Sequence, residues 1–190
     1  GGECFAEIKL PVLISDGMVL QRDVPVSIWG WGDANELIKV ELNGVNVAQK
    51  INADGTWELT LPSMNAGGPF LMKISSNDEL LEVNDIWIGD VWLCSGQSNM
   101  EMPMKGFRDQ PILGANDAVF NSTNDQIRLY TVPRSVQRTP QDTTKASPWK
   151  LAEPEAVNNF SATAYYFGKM LHEKLKVPIG LVNISYGGSP

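Results

Sequence analysis

Hydrophobic positions up to residue 90 fall in short runs, and polar or turn-forming residues interrupt them before any helical period can build. The runs are Met18-Val19-Leu20, Pro25 to Gly30, Ile38 to Leu42, Val45 to Ile51, Thr56 to Leu61, Phe70 to Ser75 and Leu80 to Val83. They are rich in the β-branched, aliphatic and aromatic residues that suit a pleated, half-buried surface. Asn43-Gly44, Asp54-Gly55 and Gly67-Gly68-Pro69 separate several of them. Asn-Gly and Asp-Gly readily adopt positive φ, which tight hairpins demand. The pattern predicts an antiparallel β-sandwich over residues 1–88, jelly-roll or immunoglobulin-like, large enough for a small core but with little stability to spare.

Beyond residue 90 the period changes. Val91-Trp92-Leu93-Cys94 is a short continuous apolar run, as expected for a strand buried on both faces. Ile127 to Val132 and Ile179 to Ile184 are two further strands of that kind. Between them the spacing predicts a helix over 161–176. Ser161 caps its start, and Ala164, Phe167, Met170, Leu171 and Leu175 share one face. Lys174 and Lys176 suit its C-terminal end, and Pro178 stops it. Strand, strand, helix, strand implies a parallel α/β sheet, so residues 89–190 are expected to form part of a three-layer, flavodoxin-like α/β domain. Residues 133–160, rich in Pro, Gln and Thr, are expected to be a surface or lid-like excursion. A parallel sheet is normally covered on both faces, and a bare edge invites aggregation. The expectation is therefore an incomplete domain whose partner is a missing C-terminal portion of the same protein.

Composition narrows the function. With 190 residues, 43% of them hydrophobic, the chain can bury a core. A net charge of −7 repels phosphate backbones and disfavours nucleic acid. No apolar run reaches the ~18 residues needed to span a bilayer, and Gly1-Gly2-Glu3 has no signal-peptide character. Cys4 and Cys94 allow at most one disulfide. His172 is the only histidine, so any imidazole chemistry within this chain rests on it.

Two loops could carry chemistry. Ser95-Gly96-Gln97-Ser98-Asn99-Met100 follows the first α/β strand, and a loop at that edge of an open α/β sheet is where ligands bind. Gly96 lets the backbone turn sharply, leaving Ser98 exposed on a rigid support as a nucleophile requires. The plain alternative is a strand-ending turn that happens to contain serine. Ser185-Tyr186-Gly187-Gly188-Ser189 follows the third strand. In a flavodoxin-like order the first and third strands are neighbours, so Ser98 and the Gly187-Gly188 backbone would converge. Glycine amides there can point at a developing oxyanion, as acyl transfer needs. The alternative is a Gly-Gly turn that only ends the strand.

The segment Val91-Trp92-Leu93-Cys94-Ser95-Gly96-Gln97-Ser98-Asn99-Met100-Glu101-Met102 resembles the nucleophile block of the sialate O-acetylesterase family, within the SGNH (GDSL-like) hydrolases. Leu10-Pro11 through Gln21, Pro25 to Gly32 with Trp29 and Trp31, and Pro178 to Asn183 followed by Gly187-Gly188 are similar to further stretches of that family. The resemblance implies a serine esterase acting on sialic acid esters or related acetylated carbohydrates, secreted or periplasmic, with no cofactor or metal. It assigns Ser98 as nucleophile, and the backbone N–H groups of Ser98 and of Gly188 or Gly187 as the oxyanion hole. It places Gln97 and Asn99 at the substrate. The family's Asp-x-x-His block is not present in this sequence, so the chain alone is expected to be inactive, with base and carboxylate supplied from elsewhere.

The remaining candidates have plainer readings. His172 lies mid-helix and is expected to be a solvated surface residue. Asn52-Ala53-Asp54-Gly55 lacks most ligands of a calcium loop and is expected to be a hairpin turn. Asn121, Asn159 and Asn183 begin glycosylation-type triplets, but Asn183 lies in a strand expected to be buried. Trp29, Trp31 and Trp57 are expected in the core. Met100, Met102 and Met104 could line an apolar wall for an acetyl methyl or simply fill space. The competing class of function is a carbohydrate-binding or scaffold module, which would show a flat row of exposed aromatics on the N-terminal sheet.

Overall fold

The structure, a computed structural model, describes residues 7–187 apart from Asp78, Val136, Gln137, Pro140, Asp142 and Ala146. Its strands are β1 (Val19–Gln21), β2 (Val26–Trp31), β3 (Leu37–Leu42), β4 (Val45–Lys50), β5 (Thr56–Leu61), β6 (Gly67–Ser76), β7 (Glu79–Gly96), β8 (Asn124–Thr131), β9 (Lys150–Ala152) and β10 (Ile179–Ser185). The helices are α1 (Ser98–Glu101), α2 (Ala115–Phe120), α3 (Pro154–Asn159) and α4 (Ala162–Leu175). The result is a mixed, sheet-dominated α/β structure.

Local chemistry explains most of the N-terminal strands. Ile38, Val40 and Leu42 alternate with exposed residues along β3, as do Trp57, Leu59 and Leu61 along β5. Each fully buried aliphatic side chain contributes roughly 1.5–3 kcal/mol. Asn43 (φ 48°) and Gly44 (φ 77°) form the two-residue link between β3 and β4, with Leu42 opposite Val45. Both residues take positive φ, as a type I′ hairpin requires. The β2–β5 ribbon brings Ile28, Trp57, Leu59 and Leu61 into one core with Ile38, Val40, Leu42, Met72 and Ile74 of β3 and β6.

Two turn readings need correction. Asp54-Gly55 does not close a hairpin: β4 pairs with β3 and β5 pairs with β2, so the turn carries the chain from one sheet to the other. Asp54 Oδ1 accepts the Thr56 amide (2.9 Å) and hydroxyl (2.7 Å), and these bonds hold its carboxyl below the usual range. Gly67-Gly68-Pro69 is not a turn but the start of β6. There the register with β7 shifts, and a bulge tolerates a proline that cannot donate to the ladder.

β7 organises the rest. Over its 18 residues it changes partners, running antiparallel to β6 from Glu79 to Ile88, parallel to β1 at Trp87–Gly89, and parallel to β10 from Asp90 to Gly96. The expected boundary near residue 88 therefore falls within one continuous strand. At the changeover a Cβ on Gly89 would run into the Pro178 carbonyl, so only glycine allows the approach. Arg22 Nε meets Asp90 Oδ1 at 2.7 Å beside it.

The full sheet order is β4-β3-β6-β7-β10-β8-β9, with β1 beside β7. The first and third α/β strands, β7 and β10, are neighbours as expected. The order nevertheless differs from a flavodoxin arrangement, which puts the first strand between the other two. Here β10 lies between β7 and β8, all three parallel.

Residues 133–160 are only partly an excursion. Trp149, Ala152, Val157 and Phe160 are buried, so β9 and α3 belong to the core. α4 agrees closely with the helix expected over 161–176: the Ser161 hydroxyl accepts the Ala164 amide at 3.2 Å. Its buried face is Ala162, Ala164, Tyr165 and Gly168, whereas Met170 and Leu175 of the expected stripe are about half exposed. Gly168 permits this rotation, since a Cβ there would meet Leu181 of β10 at 2.6 Å.

Candidate active site

β7 and β10 end together. Their register runs from Asp90 opposite Ile179 to Gly96 opposite Ser185, and the Tyr186 amide extends the ladder by donating to the Gly96 carbonyl at 3.0 Å. Both loops therefore leave the sheet at one rim. Past Gly96, where a Cβ would press on Met100 at 3.0 Å, the chain closes the single turn α1 with Ser98 as its first residue. Gln97, Ser98 and Asn99 are exposed.

That turn is fastened from behind. The Thr163 hydroxyl donates to the Asn99 carbonyl (3.1 Å), and the Ala162 amide donates to the Met102 carbonyl (2.9 Å). The Ser161 hydroxyl lies 3.5 Å from Met100 Sδ. Met104 is fully buried and is packing rather than site lining, while Met100 and Met102 are half-buried.

The two loops meet at Gly187. Its amide donates to Glu101 Oε2 at 2.6 Å. A Cβ on Gly187 would lie 3.6 Å from Ser98 Oγ and would collide with the Glu101 carboxylate. Glu101 Oε1 pairs with Arg134, whose guanidinium stacks over the Tyr186 ring at 4.9 Å. Glu101 and Arg134 went unread in the sequence. The available signal was spacing: residues three apart on a helical turn share a face, so Glu101 had to rise beside Ser98. The Gly187 amide is thus committed to Glu101, and Gly188 lies outside the described residues. A cavity of about 670 Å³ opens next to this junction, lined by Arg134, Ser135, Lys145, Ile184, Ser185 and Tyr186 among others.

His172 takes no part. It is half-buried rather than solvated, and its Nδ1–H donates to the Val177 carbonyl at 2.8 Å, just before β10 begins. Ser98 is at the opposite end of that strand register, roughly 20 Å away at about 3.3 Å per residue. His172→Ala is expected to cost about 1 kcal/mol of stability and to leave any Ser98-dependent turnover within about twofold of wild type, measurable by steady-state kinetics on the full-length protein.

Cys94 is a free, buried thiol beneath the Ser98 loop, and burial raises its pKa. Cys4 lies outside the described residues. Native protein is expected to resist iodoacetamide at Cys94 near neutral pH and to react once unfolded, as mass spectrometry would read. Among the described residues no cluster of His, Cys, Asp or Glu could hold a metal ion, and no helix is long and apolar enough to cross a membrane. Trp57 and Trp87 are buried, and Trp29, Trp31 and Phe70 half-buried, so residues 7–88 present no row of exposed aromatics.

No family model matches the chain. Rat sialate O-acetylesterase is 31% identical over 195 residues, covering 93% of this chain and 35% of the relative. The human sialate O-acetylesterase is likewise 31% identical over 93% of the chain. The chain belongs to the sialate O-acetylesterase family. It spans only about a third of the length of these relatives (35% and 36%). A solved structure from the same neighbourhood, a carbohydrate acetylesterase from Xanthomonas citri, superposes with a TM-score of 0.91 at 38% identity, over 96% of this chain and 41% of that one.

Proposed function

We propose that the full-length protein is a serine esterase that removes O-acetyl groups from carbohydrate, sialic acid esters or related sugars, through an acetyl-enzyme on Ser98. The observation that carries this reading is the meeting of the Ser98 and Gly187 loops at one sheet rim. Ser98 Oγ attacks the acetyl carbonyl and loses its proton to a base. The oxyanion takes hydrogen bonds from the backbone N–H groups of Ser98 and Gly188, because the Gly187 amide is already held by Glu101. The sugar hydroxyl departs with a proton, and water then releases acetate and restores the serine. Gln97 and Asn99, exposed on either side of Ser98, contact the sugar.

The base and its orienting carboxylate come from outside this chain. Its one imidazole is committed at the far end of β10, so residues 1–190 alone are inactive. Residues 1–88 form a β-sandwich that buttresses residues 89–190, the first part of an SGNH-type α/β hydrolase domain. Two largely separate core clusters support this division. A glycan substrate fits a secreted or periplasmic location. The test is acetate release from O-acetylated sugars by full-length protein, with labelling by a fluorophosphonate probe. The expected result is activity lost in step with probe attachment to Ser98; attachment elsewhere, or activity that survives full labelling, would refute the assignment.

A further inference from the structure

We infer that Glu101 and Arg134 form a charge-balanced clamp that positions the chain at Gly187 against Ser98, an inference that rests on the esterase reading above. Three pieces of chain that are remote in sequence meet in it. Glu101 is on α1, three residues after the nucleophile. Gly187 is 86 residues further on and gives its amide to Oε2 at 2.6 Å. Arg134, from the segment after β8, pairs with Oε1 and lies over the Tyr186 ring. The bond holds the Tyr186-Gly187 peptide beside Ser98, so the stretch that carries the proposed oxyanion donor starts from a fixed place. Donors act only when held in place before charge develops.

The clamp carries a sign problem that Arg134 resolves. A carboxylate this close to Ser98 opposes negative charge building on the attacked carbonyl. The Glu101 side chain is only 20% exposed, so water screens it weakly. The guanidinium on its other oxygen offsets that charge without taking the Gly187 amide. Arg134 therefore acts through Glu101, and both are positioning residues rather than reacting groups. Gly187 must be glycine for the same reason, since a Cβ would occupy the place of the carboxylate.

The test is steady-state kinetics of full-length protein on an acetylated monosaccharide, with Ser98→Ala as reference. Glu101→Ala is expected to lower kcat about 10²-fold, the scale of one misplaced oxyanion donor, with KM within about threefold. Glu101→Gln keeps an acceptor for Gly187 and should recover kcat to within about tenfold of wild type. Arg134→Ala should lower kcat about tenfold in wild type but less than about twofold in the Glu101→Gln background, where no bare carboxylate remains. An unchanged kcat in Glu101→Ala, a loss confined to KM, or an equal Arg134→Ala penalty in both backgrounds would overturn the clamp. If Glu101→Ala does not fold, the Gln and Arg134 variants decide alone. Wild-type turnover that survives Ser98→Ala would remove the esterase reading and the clamp with it, whereas the other results remove only the clamp.

Discussion

Ser98→Ala in the full-length protein is expected to lower kcat for acetyl ester hydrolysis on the order of 10⁴-fold or more, with KM and thermal unfolding close to wild type. The size follows from what the hydroxyl does. Without it no acetyl-enzyme forms, and the oxyanion donors and bound base retain only the modest acceleration that positioning and electrostatics give. Stability should hardly move, because Ser98 is exposed and packs into neither core. Exposed substitutions away from caps and cores usually stay within about 0.5 kcal/mol. The measurement is acetate release with a melting curve on the same sample. Turnover within tenfold of wild type would take Ser98 out of the reaction; a collapse in melting temperature would mean that the loss reports folding.

Asp85→Ala is expected to cost about 2 kcal/mol, between the loss for a buried ion pair and that for an exposed one. Arg128 of β8 is only 4% exposed, and its charge is met by Asp85 of β7. Nη1 reaches Oδ2 at 2.6 Å and Nη2 reaches Oδ1 at 3.2 Å. Nε donates to the Asp125 carbonyl at 2.8 Å, and the guanidinium lies 5.9 Å from the Trp87 ring centre. Removing the carboxylate leaves a nearly buried cation with the Asp125 carbonyl, the Trp87 ring and the water that enters where Asp85, itself 46% exposed, stood. Asp85 also sits at φ 58°, a conformation that Asp and Asn tolerate better than Ala, so Asp85→Asn should be milder. Replacing both partners, Asp85→Ala with Arg128→Met, should cost less than Asp85→Ala alone, because the buried charge goes with its partner. Urea midpoints would read these differences. A single-variant loss below about 1 kcal/mol would show that the pair contributes little to holding β7, the strand that carries Ser98.

Much of the fold was legible along the chain because short-range physics writes it there. Alternation in β3 and β5, the Asn43-Gly44 hairpin and the Ser161 cap each depend on residues within a few positions of one another. The three apolar runs after residue 90 became β8, β10 and the C-terminal part of β7. The Ser98 loop and its Gly187 partner could be picked out because strand ends in an open α/β sheet place loops at a rim. Misread features were those whose meaning depends on distant chain. Asp54-Gly55 makes a sound tight turn in either role, and only the pairing of β5 with β2 turns it into a passage between sheets. The stripe on α4 was right in period but rotated in use, because Gly168 docks on Leu181.

The sequence by itself determined the strand and helix segments, the caps, the exposed serine and the absence of a second histidine, since each is settled by local periodicity, turn chemistry or a simple count. Tertiary structure alone decided that β7 would run unbroken from its antiparallel to its parallel partners past Gly89, that β10 would lie between β7 and β8, and that Glu101 would hold the Gly187 amide with Arg134 behind it. Those outcomes depend on close approaches and charge pairs between residues 33 to 89 positions apart. Such contacts leave no periodic trace, because they exist only once the sheet has brought their strands together.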